Sequence, residues 1–335
     1  MRSPFNGGEI TLVKEPRVLE FRGSKFDIVH HHYLCNDTGE AFTDTQLDDL
    51  NLNQVYNQYR VQEGIPFLDE IIAYRKQYDI PATKFSQILG FGVNMYGKYE
   101  SGEMPNLSNG RMINICKDPV IFRNYFKNAV SHRLPEKERD SIQKKIERAI
   151  ENKRVEFDSE LERLAALGNT ERGIYTGYVI PNLQKSKQML VFFANKCQPF
   201  VTKMNKLLFY ADFFHFNRTG YSISGISYQA ITNGPVPHKY DALYGSAADV
   251  VEKEDVFFEK GDIVGEKLIT NTAFDASLFQ MEELETLNKV AERFSAKTTK
   301  EIVDISHIET AWLVNESDRN IISYQLAFDL KAMDW

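Results

Sequence analysis

Three residues in the second half of the sequence are of types that carry acid–base or metal chemistry. Asp212 and His215 are three positions apart, which places both on one side of a helix, and His238 follows a Gly-Pro-Val-Pro turn. A hydrolase or nuclease needs more than this. The sequence nearby has no third carboxylate or Cys/His cluster at ligand spacing, no nucleophile elbow and no glycine-rich phosphate loop. We therefore interpret Asp212 and His215 as hydrogen-bonded structural groups, and we predict a non-enzyme without a cofactor.

The Gly-Pro-Val-Pro turn is a stiff segment, because each proline fixes φ and removes a backbone donor. The sequence predicts that this turn cannot join the interior of a sheet or helix. A stiff loop beside tyrosines would bind a protein partner at little entropic cost, although a rigid corner that merely orients the next helix explains the prolines equally well. The predicted partner-binding residues are Gly234, Pro235, Val236, Pro237, Tyr240 and Tyr244.

Two turns near the N-terminus have the shape of zinc knuckles, in which a pair of cysteines is followed by glycine. The four ligand positions are held by Ser3, Asn6, Cys35 and Thr38. A tetrahedral zinc ion needs four soft or nitrogen ligands, and one thiolate cannot supply them. His30 and His32 share one face of a strand while His31 takes the other, so the three cannot reach one ion. We predict no metal site, with residual metal binding near Cys35 left open.

The segment 80–105 has the outline of a helix-turn-helix, with Pro81 and Thr83 at the first helix start and two glycines in the turn. Its buried faces are predicted to contain Phe85, Ile88, Leu89, Val93, Tyr96 and Tyr99. The opposite face of the second helix presents Asn94, Met95 and Lys98. Asparagine can pair with adenine, and lysine with guanine or a phosphate. Lys84, Tyr96 and Arg111 are further candidates for the DNA backbone. An ordinary helical hairpin with a solvated polar face is the alternative.

The bulk composition is that of an ordinary soluble protein, with 335 residues and a formal net charge of −7. The length predicts two or three domains. With no bilayer-length apolar run and no signal-peptide core, we predict a cytoplasmic protein without a membrane partner. Three distant cysteines fit a reducing compartment. An acidic protein that binds DNA must concentrate its positive charge, which leaves the remaining surface for another partner.

The secondary structure predicted along the chain changes character several times. Residues 9–43 read as three or four short strands broken at Pro16, and residues 66–130 as five helices. Residues 134–167 form a charged helix with one apolar side, which is either a coiled-coil seam between two chains or a face packed on a neighbouring domain. Residues 169–177 are a break. A largely helical second half follows, with helices predicted at residues 184–195, 201–216, 238–245, 276–294, 299–305 and 309–314.

Two families resemble these segments. Residues 1–128 resemble the N-terminal part of MqsA-type antitoxins, in which a zinc ribbon precedes an Xre/Cro-like helix-turn-helix; here the metal ligands are degenerate. Residues 180–335 resemble the Panacea domain, also called SocA-like. This second resemblance is carried by Met204, Asn205, Lys206, Leu207, Leu208, Tyr210 and Ala211, then by Tyr228 and Ala230, and then by Gly234, Pro235, Val236, Pro237 and Tyr240.

The resemblance implies an antitoxin that neutralises a cognate protein toxin by direct binding and represses its own operon. The toxin is usually encoded by an adjacent gene. Asn94 and Lys98 match the family's asparagine and basic residue four positions apart on the recognition helix, which implies contacts with operator DNA. Repressors of this kind bind two half-sites, so we expect a homodimer or higher oligomer. The alternatives are an adaptor that delivers a partner to a protease, a stand-alone transcriptional regulator, or a toxin.

The predicted fold is therefore mainly α. A degenerate zinc-ribbon-like β unit and connector helix occupy residues 1–64, and an Xre-type DNA-binding domain occupies residues 65–130. A linker or dimerisation helix follows at residues 131–170, and an α-helical Panacea domain fills residues 171–335.

Overall fold

The computed structural model describes residues 2–155, 157–168, 171–257 and 264–333. Within these residues it is mainly helical, with three small antiparallel sheets. The chain falls into two compact units, of which the first combines Met1–Val55 with Leu161–Trp335 and the second is Tyr56–Glu160. These units do not coincide with the four successive segments predicted above, because the N-terminal strands pack with the C-terminal half of the chain.

A long β-hairpin begins the first unit. Strand β1 (Ile10–Phe21) pairs with β2 (Ser24–Cys35), and the short β3 (Ala41–Phe42) pairs with the end of β2. The connecting Arg22 and Gly23 both have positive φ, as tight turns between twisted strands require. The predicted break at Pro16 is wrong. This proline lies inside β1, which tolerates it because β1 is an edge strand.

Helix α1 (Thr45–Glu63) covers the free edge of β2 with two side-chain amides. Asn51 accepts a hydrogen bond from His31 N and donates one to His31 O, both at 2.9 Å. Gln54 does the same for Val29, at 2.9 and 2.8 Å. The two amides are three positions apart and therefore face the same way. They satisfy the backbone groups that an additional strand would otherwise pair with.

Six helices fill most of the second unit. Their bounds are α2 (Leu68–Lys76), α3 (Ala82–Ile88), α4 (Met95–Glu100), α5 (Leu107–Ile115), α6 (Pro119–Tyr125) and α7 (Glu136–Val155). They enclose an aromatic core in which Tyr78 and Phe85 both pack against Phe122. Cys116 is buried in this core, as predicted, and its backbone carbonyl accepts a hydrogen bond from the Tyr78 hydroxyl at 2.7 Å.

The apolar side of α7 packs within its own unit. Ile142, Ile146 and Ala149 belong to the same core as Phe122. Ion pairs flank this contact, with Lys145 Nζ 3.0 Å from Asp79 and Lys153 Nζ 2.8 Å from Asp118. The part of the predicted apolar stripe that lies on α7 is therefore packed, and its residues are not available for a coiled-coil seam. The part after residue 156 differs, because Phe157, Leu161 and Leu164 are exposed. Helix α8 (Phe157–Leu167) follows.

The C-terminal half of the first unit is built around one buried helix. Its helices are α9 (Leu183–Cys197), α10 (Val201–Thr219), α11 (Tyr240–Ser246), α12 (Met281–Phe294), α13 (Thr299–Ser306) and α14 (Thr310–Leu313). Helix α10 is buried all round from Lys203 to Asn217 and contacts α9, α12 and α13. The apolar composition of this helix predicted that position.

This half also contains strands that the sequence reading missed. They are β4 (Tyr228–Ile231), β5 (Gly234–Pro237), β6 (Glu252–Phe257), β7 (Val264–Ile269) and β8 (Ile321–Ile322). The first sheet has the order β5-β4-β8, and β6 pairs with β7. The prediction of a largely helical second half is confirmed, but it did not include these strands. No helix among the described residues has the length and apolar character needed to cross a membrane.

The N-terminal hairpin joins this half through the chain's last described segment. The His31 ring meets the Phe328 ring at a centroid distance of 5.0 Å, and Lys14 Nζ donates to Phe328 O at 3.0 Å. Asn53 on α1 donates to Thr219 O at the end of α10, also at 3.0 Å. These contacts explain why the hairpin belongs to the first unit.

Candidate functional site

The segment predicted to read DNA forms two short helices, α3 and α4, whose relative position is fixed by buried groups. The Ser86 hydroxyl accepts a hydrogen bond from Tyr96 N at 2.7 Å. The Tyr96 hydroxyl donates to Ile71 O at 2.8 Å, and its ring meets Phe85 edge-on at 4.8 Å. Because these contacts are buried and hydrogen-bonded, the outer side of α4 is presented on a rigid base.

Asn94 and Lys98 lie together on that outer side. They line a shallow hollow of about 540 Å³ together with Thr83, Gly97 and Ser101. Both side chains are exposed. Asn94 precedes the first residue of α4, and its side chain makes no capping bond there, so its amide is available to a ligand. An exposed amide and an exposed ammonium group one helical turn apart form a pair that can contact a base edge and a phosphate.

The six predicted DNA-binding residues differ in their exposure and in their contacts within the protein. Tyr96 is fully buried and cannot reach a phosphate. Lys84 forms an ion pair with Glu138, and Met95 packs partly against the core of the second unit. Arg111 on α5 is exposed, as are Asn94 and Lys98, so these three are the candidates with the most accessible side chains. The predicted burial of Val93 is also wrong, since this side chain is 51% exposed and precedes α4.

The Gly-Pro-Val-Pro segment is buried strand β5, so the expectation of an exposed stiff turn is wrong. All four residues are buried, and they pair antiparallel with β4. The strand accepts two prolines because it lies at the edge of its sheet. Gly234 has a φ of +92°, and a β-carbon there would lie 2.4 Å from the Ser306 hydroxyl and 2.6 Å from Lys206 Cε. Only glycine fits this position.

The contacts of Lys206 inside the protein explain why the motif on α10 contains a lysine. Its side chain is fully buried, and its Nζ donates to Pro235 O at 2.9 Å. Burial lowers the pKa of Lys206 to about 7. The motif lysine of α10 and the motif prolines of β5 are thus parts of one internal contact.

Asp212 is the centre of a second internal contact on α10. Its carboxylate accepts hydrogen bonds from Ile223 N and Ser224 N, each at 2.8 Å, from the Ser224 hydroxyl at 2.5 Å and from the Tyr228 hydroxyl at 2.6 Å. Burial raises the pKa of Asp212, and the hydrogen bonds from Ser224 and Tyr228 oppose that rise. The carboxylate fixes the loop that leads from α10 into β4.

The three residues considered for catalysis do not come together. His215 is buried, its Nδ1 lies 3.2 Å from the Thr286 hydroxyl, and burial lowers its pKa to about 3. His238 is exposed, with its Nδ1 3.4 Å from Gln229 Oε1. Asp212, His215 and His238 thus have three different sets of partners. The described contacts fit the interpretation of Asp212 and His215 as structural groups.

Of the two tyrosines predicted to bind a partner, Tyr244 is buried and donates to Asn205 Oδ1 at 2.7 Å. Tyr240 begins α11 and is half-buried. Five of the six predicted partner-binding residues are therefore interior.

Glu309, which the sequence analysis did not select, is also interior. It accepts hydrogen bonds from Lys331 N and Ala332 N at 2.8 and 3.0 Å.

Large apolar side chains are exposed in another part of this half. Ile308, Leu313 and Val314 are 56%, 55% and 58% exposed, and all three lie within one seven-residue segment around α14. Trp312 anchors the segment, because its ring stacks on His307 at 4.0 Å and its Nε1 donates to Ile231 O at 2.8 Å. Sequence periodicity could not find this surface, because an apolar residue in a short helix is normally assigned to the core.

The two N-terminal turns meet around Cys35. Its thiol is enclosed and lies 3.5 Å from Asn6 Oδ1. Hydrogen bonds from Ser3 and Thr38 lower the pKa of the thiol to about 7. The four knuckle positions therefore converge, but the side chains at three of them hydrogen-bond to the remaining sulfur and do not supply the thiolates of a tetrahedral zinc site.

A comparison with protein-family models finds one domain. Residues 204–313, about one third of the chain, match the model described as "Antitoxin SocA-like, Panacea domain". The match runs from the motif residues of α10 to α14. No curated protein and no solved structure gave a significant match.

Proposed function

We propose that this chain is an antitoxin, which neutralises a protein toxin by binding it through the C-terminal half and represses its own operon through α3 and α4. The match of residues 204–313 to the SocA-like antitoxin domain carries the first part of this proposal. The exposed pair Asn94 and Lys98 on the rigid α3–α4 base supports the second part.

The interior position of the motif residues supports a toxin surface formed by other residues. Gly234, Pro235 and Lys206 are buried and contact one another, so their role in this proposal is to stabilise the domain and not to contact the toxin. Ile308, Leu313 and Val314 offer the exposed apolar area that a protein interface needs at its centre. Trp312 and His307 hold this surface in place, which lowers the entropy lost on binding.

The binding experiment uses the full chain and the protein encoded by the adjacent gene. We expect a complex in titration calorimetry, and we expect Leu313→Asp to weaken it at least tenfold because a charge would be buried in the interface. Leu278→Asp, at another exposed apolar side chain of the same half, is the matched control. Equal weakening by both variants, or no complex with the unchanged protein, would refute the assigned surface.

A second experiment addresses the DNA-binding half of the proposal. In a gel-shift with the promoter of its own operon, the chain should bind specifically and the doubly substituted Asn94→Ala, Lys98→Ala chain should not. The same double variant should still bind the toxin. Specific promoter binding by the double variant would show that other residues read the DNA.

A further inference from the structure

One face of the β1–β2 hairpin brings two histidines and a carboxylate together. His30 and His32 alternate along β2 and share a face, and Glu15 lies directly opposite His30 in the strand register. One ligand atom from each of these three residues lies within 4.8 Å of the other two. The two imidazole centroids are 5.3 Å apart, and His30 Nδ1 is 4.0 Å from Glu15 Oε1.

Each imidazole has a nitrogen without a hydrogen-bond partner. Nδ1 of His30 and Nδ1 of His32 are enclosed by the protein, and neither has a partner within the described part of the chain. An enclosed polar atom of this kind is costly and requires an explanation. Burial, followed by the charges of Arg17 and His32, lowers the pKa of His30 and so favours its neutral form. Neutral imidazole is the form that ligates a metal ion.

We propose that Glu15, His30 and His32 bind a divalent transition-metal ion of the class of Zn²⁺, Ni²⁺ and Cu²⁺. Two imidazoles with one carboxylate are a donor set that such ions accept, and three protein ligands leave a coordination position for water. The backbone that carries the ligands is held on both sides of β2. The β1 ladder lies along one edge, and the side-chain amides of Asn51 and Gln54 cover the other.

Arg17 is the built-in competitor for this site. Its guanidinium lies 2.7 Å from Glu15 Oε1 and 3.3 Å from His30 Nε2. It thereby neutralises the carboxylate when no ion is bound. The Arg17 side chain is 45% exposed, so it can turn into solvent when an ion replaces it, and an exposed ion pair of this kind is weak. Metal affinity should therefore increase when Arg17 is removed.

The site is separate from the degenerate knuckles. Cys35 is surrounded by the side chains of Ser3, Asn6 and Thr38, and none of these contacts Glu15, His30 or His32 in the described hydrogen bonds. The sequence alone suggested only that the three consecutive histidines cannot share an ion. The carboxylate that completes a set with two of them comes from the neighbouring strand, which the strand register shows and the sequence does not.

The test is a titration of the metal-free full chain with Zn²⁺ by calorimetry, together with Co²⁺ absorption spectroscopy. We expect one ion per chain at this site. His32→Asn and Glu15→Gln should each weaken Zn²⁺ binding at least tenfold, and Arg17→Gln should strengthen it several-fold. Glu15 is partly exposed, so its replacement should leave the fold intact, which far-ultraviolet circular dichroism would check.

Two control variants separate this site from other ligands. His238→Gln removes an exposed histidine elsewhere, and Cys35→Ser removes the thiol of the knuckle turns; both should bind Zn²⁺ as the unchanged chain does. The proposal is overturned if the unchanged chain binds none of Zn²⁺, Co²⁺ and Ni²⁺. It is equally overturned if Glu15→Gln and His32→Asn bind as tightly as the unchanged chain, or if Cys35→Ser abolishes binding.

Discussion

In and beside α4, the polar side chains Asn94 and Lys98 lie in solvent, whereas the polar side chains Lys206 and Asp212 of α10 are completely buried. Both pairs belong to motifs by which the sequence suggests a function. The two pairs differ in whether their hydrogen-bond partners lie inside the protein. Asp212 has four donors around it and Lys206 has the Pro235 carbonyl, while the outer side of α4 has a hollow that a ligand can enter.

This difference shows that a motif can mark either a contact surface or an internal support. A polar group stabilises a fold when its partners lie inside the protein, and it can bind a ligand when it has none there. In α10 the motif residues fix the path of the chain from α10 into β4 and β5. The partner surface that we propose must then be formed by neighbouring residues, which is why the segment around α14 becomes the candidate.

The largest effect is expected from Asp212→Ala, which removes the acceptor of four buried hydrogen bonds. Breaking a buried network of this kind costs about 3–5 kcal/mol. Urea unfolding of the full chain would measure the loss. Asp241→Ala, at an exposed position of α11, is the control and should change little. Equal stability of the two variants would show that Asp212 is not an internal support.

The next largest effect is expected at the other helix, where Asn94→Ala and Lys98→Ala should weaken operator binding without changing stability. A lost base contact costs about 1–3 kcal/mol, so the double variant should bind roughly 10²- to 10⁴-fold more weakly. Lys117→Ala, also exposed in the second unit, serves as the matched charge control. If the double variant unfolded at a lower urea concentration than the control, Asn94 and Lys98 would stabilise the fold as the buried residues of α10 do, and the difference between α4 and α10 would not hold.

The buried position of Lys206 can be tested by the dependence of the free energy of unfolding on pH. Its folded pKa of about 7 lies below the ordinary 10.5, so between these values the unfolded chain holds a proton that the folded chain has lost. The free energy of unfolding therefore rises with pH in this window, by at most about 1.4 kcal/mol per pH unit. The Lys206→Met chain should lack this rise, and Lys300→Met should keep it. Parallel pH profiles of the unchanged and Lys206→Met chains in urea unfolding would contradict the burial of a titrating lysine.

The smallest effect is expected from Tyr96→Phe, which removes one buried hydrogen bond to Ile71 O. The expected loss of stability is about 1 kcal/mol. The Tyr96→Phe chain should bind the operator as tightly as the unchanged chain does, since the hydroxyl faces the core. A specific loss of operator affinity with unaltered stability would return Tyr96 to the set of DNA contacts.

The helices were the predictable part of this fold, because apolar spacing, proline and glycine mark their ends. The five helices after residue 66 and those of the C-terminal half lie close to their predicted positions. Strand β5 was missed because two prolines argue against a strand unless it is known to be an edge, and edges are decided by tertiary packing. The hairpin's membership of the first unit depends on His31 and Lys14 meeting Phe328, about 300 residues away in sequence.

The site was less predictable than the fold, because residue type does not reveal burial. Asn94 and Lys98 were selected from sequence as DNA contacts and are exposed. Tyr96 was predicted both for a buried helix face and as a contact of the DNA backbone, and it is buried; Tyr244 was selected as a partner contact and is also buried. Ile308, Leu313 and Val314 have the composition of core residues, so only their exposure identifies them as a surface.

The proposal of an antitoxin is tested most directly by producing the chain together with the toxin of the adjacent gene in one cell. We predict that growth is restored while toxin abundance stays constant, that the Asn94→Ala, Lys98→Ala chain protects equally, and that Leu313→Asp does not protect. Failure of the unchanged chain to restore growth would contradict the proposal. Restoration accompanied by loss of the toxin would instead indicate a proteolytic adaptor.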